Sequence, residues 1–121
     1  MNTSSITGRR GEEIAVKYLR DNGFLVCDRN WRSGRYEIDI VARRSGVTHI
    51  IEVRTRRAGA LASPESTITT SKRAAMCRAA EAYVARTALR GDVEFDLIAV
   101  DMFPDGRYDV RYIPNAVEIG W

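Results

Sequence analysis

Residues 36–54 constrain the fold of this chain more than any other part, because polar and apolar residues alternate there on both sides of a turn. Glu37 and Asp39 alternate with two isoleucines, and this period of two is typical of a strand with one buried face. The run Arg43-Arg44-Ser45-Gly46 is a tight turn signal, after which an apolar pattern resumes. The sequence therefore predicts a β-hairpin over residues 36–54, with Asp39 on the face opposite the isoleucines.

The rest of the chain contributes two helices and three further strands around this hairpin. Apolar residues at helical spacing indicate the helices, and short apolar runs bounded by turn signals indicate the strands. The predicted elements in chain order are a helix at 9–22, strands at 24–27, 36–42 and 47–54, a helix at 71–89, and strands at 95–100 and 108–113, with polar connections at 28–35 and 55–70. This α-β-β-β-α-β-β order predicts an α/β (α+β) fold, a mixed sheet flanked by helices.

The length of 121 residues predicts one domain, at 8–121, preceded by a flexible N-terminal arm at 1–7. No stretch approaches the roughly 18 apolar residues of a membrane span, so we expect a cytoplasmic protein without a membrane partner. Cys27 and Cys77 stand in apolar surroundings, which predicts buried free thiols in a reducing compartment. His49 is the single histidine, which argues against a zinc site.

The formal net charge of +3 hides an asymmetry between two parts of the chain. Residues 1–91 carry 17 Lys/Arg and 9 Asp/Glu, whereas residues 92–121 carry 2 Lys/Arg and 7 Asp/Glu. Such a distribution indicates a basic working surface on the first three quarters of the chain. Arginine-rich composition also follows from GC-rich codon usage, so charge by itself favours nucleic acid only weakly.

Asp39 and Glu52 are the most informative pair of side chains. Carboxylates on adjacent strands of one sheet face can share Mg²⁺ or Mn²⁺, which polarises a phosphate and lowers the pKa of a bound water. Arg54, two residues beyond Glu52, would neutralise charge that develops on that phosphate. Glu37 is a candidate further ligand, and Glu12 reaches the site if the first helix packs beside the hairpin. The alternative is a solvated acidic face in which Arg54 is an ion-pair partner.

Basic and aromatic residues at the ends of the predicted elements form a candidate footprint for nucleic acid. Trp31 and Tyr36 are candidates for stacking on bases, although core packing explains Trp31 equally well. The candidate phosphate contacts are Arg9, Arg10, Arg56, Arg57, Lys72 and Arg73.

Several short motifs, in order and correctly spaced, resemble those of the YraN-like family of bacterial proteins. They are Gly8-Arg9-Arg10-Gly11-Glu12, Asn30-Trp31-Arg32, Glu37-Ile38-Asp39-Ile40-Val41, Glu52-Val53-Arg54-Thr55-Arg56, Lys72-Arg73 and Phe95-Asp96. That family is similar to the restriction-endonuclease-like PD-(D/E)XK superfamily, which includes archaeal Holliday junction resolvases. The resemblance implies a restriction-endonuclease-like core in which Asp39 and Glu52 are the motif acids and Glu12 completes the metal site. It also implies a homodimer, because resolvase-like members act on two-fold substrates.

Two positions depart from the family pattern. Tyr36 stands where the family has glycine, and Arg54 stands where it has lysine. Arginine essentially never loses its proton, so Arg54 can hold charge but cannot act as a general base. Three hypotheses remain open: a Mg²⁺- or Mn²⁺-dependent endonuclease acting on duplex or branched DNA, a non-catalytic DNA-binding module, and a protein-interaction domain that uses the acidic C-terminal part.

Overall fold

The computed structural model describes residues 3–59 and 68–116, and these ranges contain two helices and five strands. In chain order the elements are α1 (Thr3–Asp21), β1 (Leu25–Ser33), β2 (Tyr36–Arg44), β3 (Val47–Arg57), α2 (Thr70–Thr87), β4 (Val93–Met102) and β5 (Tyr108–Ile113). The predicted α-β-β-β-α-β-β order is therefore confirmed.

The five strands form one mixed sheet in the order β1-β2-β3-β4-β5. Strands β3 and β4 pair in parallel, which requires the crossover that contains α2, and the other neighbours pair antiparallel. Side chains of α1 pack with Ile51 and Ile98 on one face of the sheet, and side chains of α2 pack with Ile50 and Leu97 on the other. Because neighbouring residues of a strand point to opposite faces, β3 and β4 are covered on both sides.

Both helices differ slightly from their predicted bounds. Helix α1 begins at Thr3 rather than Arg9. Helix α2 begins after Thr69, whose side chain accepts a hydrogen bond from the backbone N–H of Lys72. Within the two described ranges, neither helix is long and apolar enough to cross a membrane.

Strand β1 is longer than predicted, because it continues from residue 27 to Ser33. Its polar residues pair with β2, for example Arg29 with Ile40, after a bulge between Val26 and Asp28. An edge strand exposes much of its surface, so its sequence need not be apolar. The same bulge explains why Cys27 is exposed rather than buried as predicted, although the thiol is free as expected.

Strand β3 also exceeds its predicted length and continues to Arg57, so the polar connection predicted at 55–70 begins later. Pro64 and its neighbours from 60 to 67 lie outside the described residues. At the other end of the strand, the turn from β2 is only two residues long. Ser45 and Gly46 both have positive φ, at 52° and 77°, which is typical of a tight hairpin turn.

Strands β2 and β3 separate at Asp39, and this separation creates the candidate site. The ladder runs from Arg44 paired with Val47 up to Ile40 paired with Ile51. Beyond it, the N–H of Val53 donates to the Asp39 carboxylate at 2.8 Å. Ile38 packs on the α2 side of the sheet and Ile40 on the α1 side. Our prediction that these two isoleucines share one face is therefore wrong. The alternation is interrupted where the ladder with β3 ends, and Ile38 pairs with Trp31 of β1 instead.

A candidate metal and nucleic-acid site

An open cleft of about 900 Å³ lies at the end of the sheet where β2 and β3 separate. It is lined by residues from α1, β2, β3 and the end of β4. These residues are Gly8, Glu12, Asp39, Glu52, Val53, Arg54, Thr55, Arg56, Arg57, Met102, Phe103 and Pro104. The fold thus brings together the three acids and the arginine that the sequence singled out as a candidate centre.

Asp39 lies in an environment that opposes its negative charge. Burial raises the pKa of this carboxyl to about 7, and the charge of Glu52 acts in the same direction. The charge of Glu12 and a hydrogen bond with the Glu52 side chain raise the pKa further, whereas the N–H of Val53 lowers it. Both glutamates are therefore close enough to repel Asp39, and a cation among the three acids would relieve that repulsion.

Glu52 is buried, and two cationic side chains approach it. The Lys72 ammonium lies 3.2 Å from the carboxylate, and Nε of Arg54 lies 3.6 Å from the same oxygen. The sequence placed Lys72 among the outer phosphate contacts, whereas the structure places it against a central acid. The sequence could not predict this contact, because it depends on the crossover between β3 and β4, which brings the first turn of α2 back to the sheet.

Glu12 reaches the cleft because α1 lies unusually close to β3. A Cβ atom on Gly11 would lie 1.9 Å from Oγ1 of Thr55, so only glycine fits at this crossing without a shift of the helix. One carboxylate oxygen of Glu12 accepts a hydrogen bond from the Asn30 side-chain amide at 3.2 Å. The position of this acid therefore depends on the close approach of Gly11 to the Thr55 side chain and on a residue of β1.

The predicted phosphate contacts divide into two groups. Arg56 and Arg57 line the cleft, and Arg56 lies 3.5 Å from Asp101 of β4 while Arg57 is exposed. Arg9, Arg10 and Arg73 are exposed, on α1 or at the start of α2. Arg10 donates to the carbonyl of Gly106 at 2.8 Å, which ties the start of α1 to the turn after β4. Charge therefore surrounds the cleft as well as lining it.

Three further candidates lie elsewhere. Glu37 forms an ion pair with Arg32 at 3.4 Å and is not among the residues that line the cleft. Trp31 packs edge-on against Tyr83 with ring centroids 5.2 Å apart, which favours core packing over stacking on a base. Tyr36 lines a separate shallow groove beside α2. Trp31 and Tyr36 pack against the core cluster on the α2 side of the sheet, and neither lines the cleft.

A second group of titratable side chains, centred on Asp96 of β4, was not identified from the sequence. Oδ2 of Asp96 accepts a hydrogen bond from the Tyr112 hydroxyl and lies 2.5 Å from Nδ1 of His49. Oδ1 accepts from the N–H of Asn115 at 2.9 Å. Glu94 lies 3.5 Å from Nδ1 of His49. Burial and the hydrogen bond to Asp96 raise the pKa of Tyr112. This group is a buried polar network whose central acid has partners for both of its oxygens.

Comparison with known proteins identifies related chains. The model of the uncharacterised protein family UPF0102 matches residues 11–100. A UPF0102 protein of Porphyromonas gingivalis is 43% identical over 99 residues, which cover 82% of this chain and 73% of the relative. A relative from Bacteroides thetaiotaomicron is 38% identical over 109 residues, which cover 90% of this chain and 89% of the relative. A relative from Pelobacter propionicus is 36% identical over 118 residues, which cover 95% of this chain and 84% of the relative. The family match includes all three acids of the cleft.

Proposed function

This chain belongs to the uncharacterised protein family UPF0102, and we propose that its cleft is the centre of a Mg²⁺- or Mn²⁺-dependent nuclease that hydrolyses phosphodiester bonds in DNA. One observation carries the proposal: three carboxylates and three arginines line the same open cleft. Acids that repel one another favour a bound cation, and guanidinium groups suit phosphate. A site for a metal ion and a site for a phosphate backbone therefore coincide.

The residues present fit a hard divalent cation. Asp39, Glu52 and Glu12 offer oxygen ligands, which Mg²⁺ and Mn²⁺ prefer over nitrogen or sulfur. The raised pKa of Asp39 supports this choice, because the charges that act on this carboxyl within the described residues are those of Glu52 and Glu12. When bound, such an ion polarises the scissile phosphate and lowers the pKa of a water molecule.

The cations beside Glu52 would act by charge and orientation. Arg54 keeps its proton at any pH the protein meets, so it can hold Glu52 and offset negative charge on the phosphate but cannot take up a proton. Lys72 brings the ammonium of α2 to the same carboxylate and is one of only two lysines in the chain. Arg57, which is exposed at the cleft, would bind the phosphate backbone.

We extend the proposal to the restriction-endonuclease-like PD-(D/E)XK superfamily. Support comes from an aspartate on β2, a glutamate on β3, a cation two residues later and an acid on α1. By analogy with resolvase-like members, the substrate would be branched or duplex DNA and the active form a homodimer. A DNA substrate would place the protein in the cytoplasm.

One observation favours a second function, a DNA-binding module without catalysis. Glu52 already has Arg54 and Lys72 as partners, so protein cations alone can balance this acid. The same cleft would then hold the phosphate backbone through its arginines. The two functions differ in whether a divalent ion and cleavage are required.

Cleavage of labelled single-stranded, duplex and four-way-junction DNA, with EDTA, Mg²⁺ or Mn²⁺, separates these functions. We expect the parent to cut at least one form with Mn²⁺ and Glu52→Gln to lose more than about 100-fold, since outer partners of metal ligands alone contribute about 10- to 100-fold. Glu37→Gln is the matched control, because it also removes one negative charge but lies in a surface ion pair outside the cleft.

The results of this assay distinguish the nuclease from the binding module. Cleavage that Glu52→Gln abolishes and Glu37→Gln preserves supports the nuclease. Salt-dependent DNA binding without cleavage by any form supports the binding module, because phosphate contacts release counterions. Failure of the parent both to bind and to cut every DNA form would overturn both functions.

A further inference from the structure

Asn30 has a backbone conformation that is unusual for its place in the fold. Its φ is +51°, in the left-handed region, although it lies within β1 and its neighbours Arg29 and Trp31 pair with β2 in regular register. Of the four non-glycine residues with positive φ in the described ranges, only this one lies inside a strand. Asparagine tolerates this conformation better than most residues, and its presence in a strand indicates a constraint beyond sheet pairing.

The side chain of Asn30 connects this strand to the candidate centre. Its amide nitrogen donates to Oε2 of Glu12 at 3.2 Å. Glu12 lines the cleft, and its charge acts on Asp39. The left-handed conformation of Asn30 therefore accompanies a hydrogen bond to one of the three clustered acids.

The neighbouring residues Arg29 and Glu13 join the same two elements in a different way from Asn30 and Glu12. Arg29 holds Glu13 at 2.5 Å, so β1 and α1 are joined there by an ion pair. Glu13 is not among the residues that line the cleft. An arginine neutralises the acid that it binds, whereas an amide orients an acid and leaves its charge available to a cation. Of these two neighbouring acids of α1, Glu12 in the cleft thus has a neutral partner, and Glu13 outside it has a charged one.

We infer that Asn30 is a positioning residue for Glu12, holding one carboxylate oxygen so that the other faces the cation site formed with Asp39 and Glu52. This inference rests on the proposed function, because it assigns Asn30 a role only if the three acids bind a metal ion. Partners of this kind fix the orientation of a ligand, and their removal typically weakens metal binding about 10- to 100-fold.

The test measures Mn²⁺ binding to the full chain without DNA, by the electron paramagnetic resonance signal of free Mn²⁺. Asn30→Gly keeps the left-handed backbone accessible and removes only the amide, so we expect affinity to fall about tenfold. Arg29→Ala is the matched control, since it also cuts a link between β1 and α1 but leaves Glu12 untouched. Its Mn²⁺ affinity should stay within about twofold of the parent, even if it unfolds at a lower denaturant concentration.

A double-mutant cycle separates positioning from general support of the fold. In a Glu12→Gln background, Asn30→Gly should add less than about twofold, because the ligand that it orients is already lost. Equal losses in both backgrounds, or an Asn30→Gly protein that binds Mn²⁺ like the parent, would overturn the inference. If Glu12→Gln then still weakens Mn²⁺ binding, the proposed function survives without it. A parent that binds no Mn²⁺ overturns both.

Discussion

Asp39 and Asp96 are aspartates of the same sheet, and their surroundings are opposite. Asp96 is fully buried among groups that complement its charge: a tyrosine hydroxyl, a backbone N–H and a histidine. Asp39 accepts a hydrogen bond from the N–H of Val53, and burial together with the charges of Glu52 and Glu12 raises its pKa to about 7. The first arrangement stabilises the fold, whereas the second lowers stability unless a cation or a proton is present.

The contrast separates two reasons for placing an acid in a core. An acid whose oxygens are all satisfied ties elements together, as Asp96 ties β4 to β3, to β5 and to the residues after β5. An acid held against like charges costs stability, and such a cost is usual where a site must bind something. On this comparison we propose a functional role for Asp39 and a structural role for Asp96, although both lie in strands with apolar neighbours.

The substitution Asp39→Asn tests this comparison with the largest expected effect. We expect DNA cleavage with Mn²⁺ to fall by more than about 100-fold, because a central metal ligand is lost. Resistance to urea at neutral pH should stay equal or rise, since a repelled charge is removed. Rates on the best DNA form and urea midpoints check both expectations. A variant that cuts like the parent would show that Asp39 is not a ligand.

The counterpart is Asp96→Asn, for which we expect the opposite effects. The amide cannot accept from all the donors around it, and the unfolding free energy should fall by about 2–4 kcal/mol. Mn²⁺ affinity of the folded fraction should remain near that of the parent. Urea unfolding followed by circular dichroism measures the loss. Unchanged stability would remove the structural role assigned to Asp96.

The pH dependence of stability sharpens the comparison further. In the folded chain Asp39 keeps its proton up to about pH 7, whereas an unfolded aspartate loses it near pH 4. Between these values the folded state binds more protons, so the unfolding free energy falls as pH rises, by at most about 1.4 kcal/mol per pH unit. Asp39→Asn should flatten this part of the curve, as urea midpoints in EDTA would measure. Parallel curves for parent and variant would mean that Asp39 ionises freely in the fold.

The smallest expected effect is that of Arg54→Lys. A lysine keeps the charge beside Glu52 and, unlike arginine, can lose a proton, so cleavage with Mn²⁺ should rise about fivefold or more while DNA affinity changes little. Arg32→Lys, in the surface pair with Glu37, is the control and should change neither. If the parent already cuts as fast as Arg54→Lys, arginine is a competent substitute.

Much of the fold follows from local pattern, because the informative contacts are local. Strand β5 at Tyr108–Ile113 has its predicted bounds, since the turn around Gly106 and the end of the apolar run mark both limits. Helix α1 and strand β1 extend beyond prediction, because neither the polar first turns of a helix nor the polar residues of an edge strand carry a strong signal.

Some contacts of the candidate site follow from local sequence, and others depend on the tertiary structure. The grouping of Asp39, Glu52 and Arg54 in one cleft agrees with the hairpin pattern, and their metal-binding role stays a prediction. The pairing of Lys72 with Glu52 depends on a crossover, and the hydrogen bond from Asn30 to Glu12 depends on a bent edge strand. No window of sequence contains both partners of either contact, so pattern alone could not find them.

Helix α1 crosses strand β3 at Gly11, where the Thr55 side chain occupies the space that a Cβ atom would need. Two elements in such direct contact behave as one stiff body, so Glu12 and Glu52 move together when the surrounding side chains rearrange. The backbone positions of the two acids are then fixed relative to each other, and the hydrogen bond from Asn30 sets how the Glu12 carboxylate is turned. Such a site should tolerate wide drift of the neighbouring core, provided that position 11 remains without a Cβ atom.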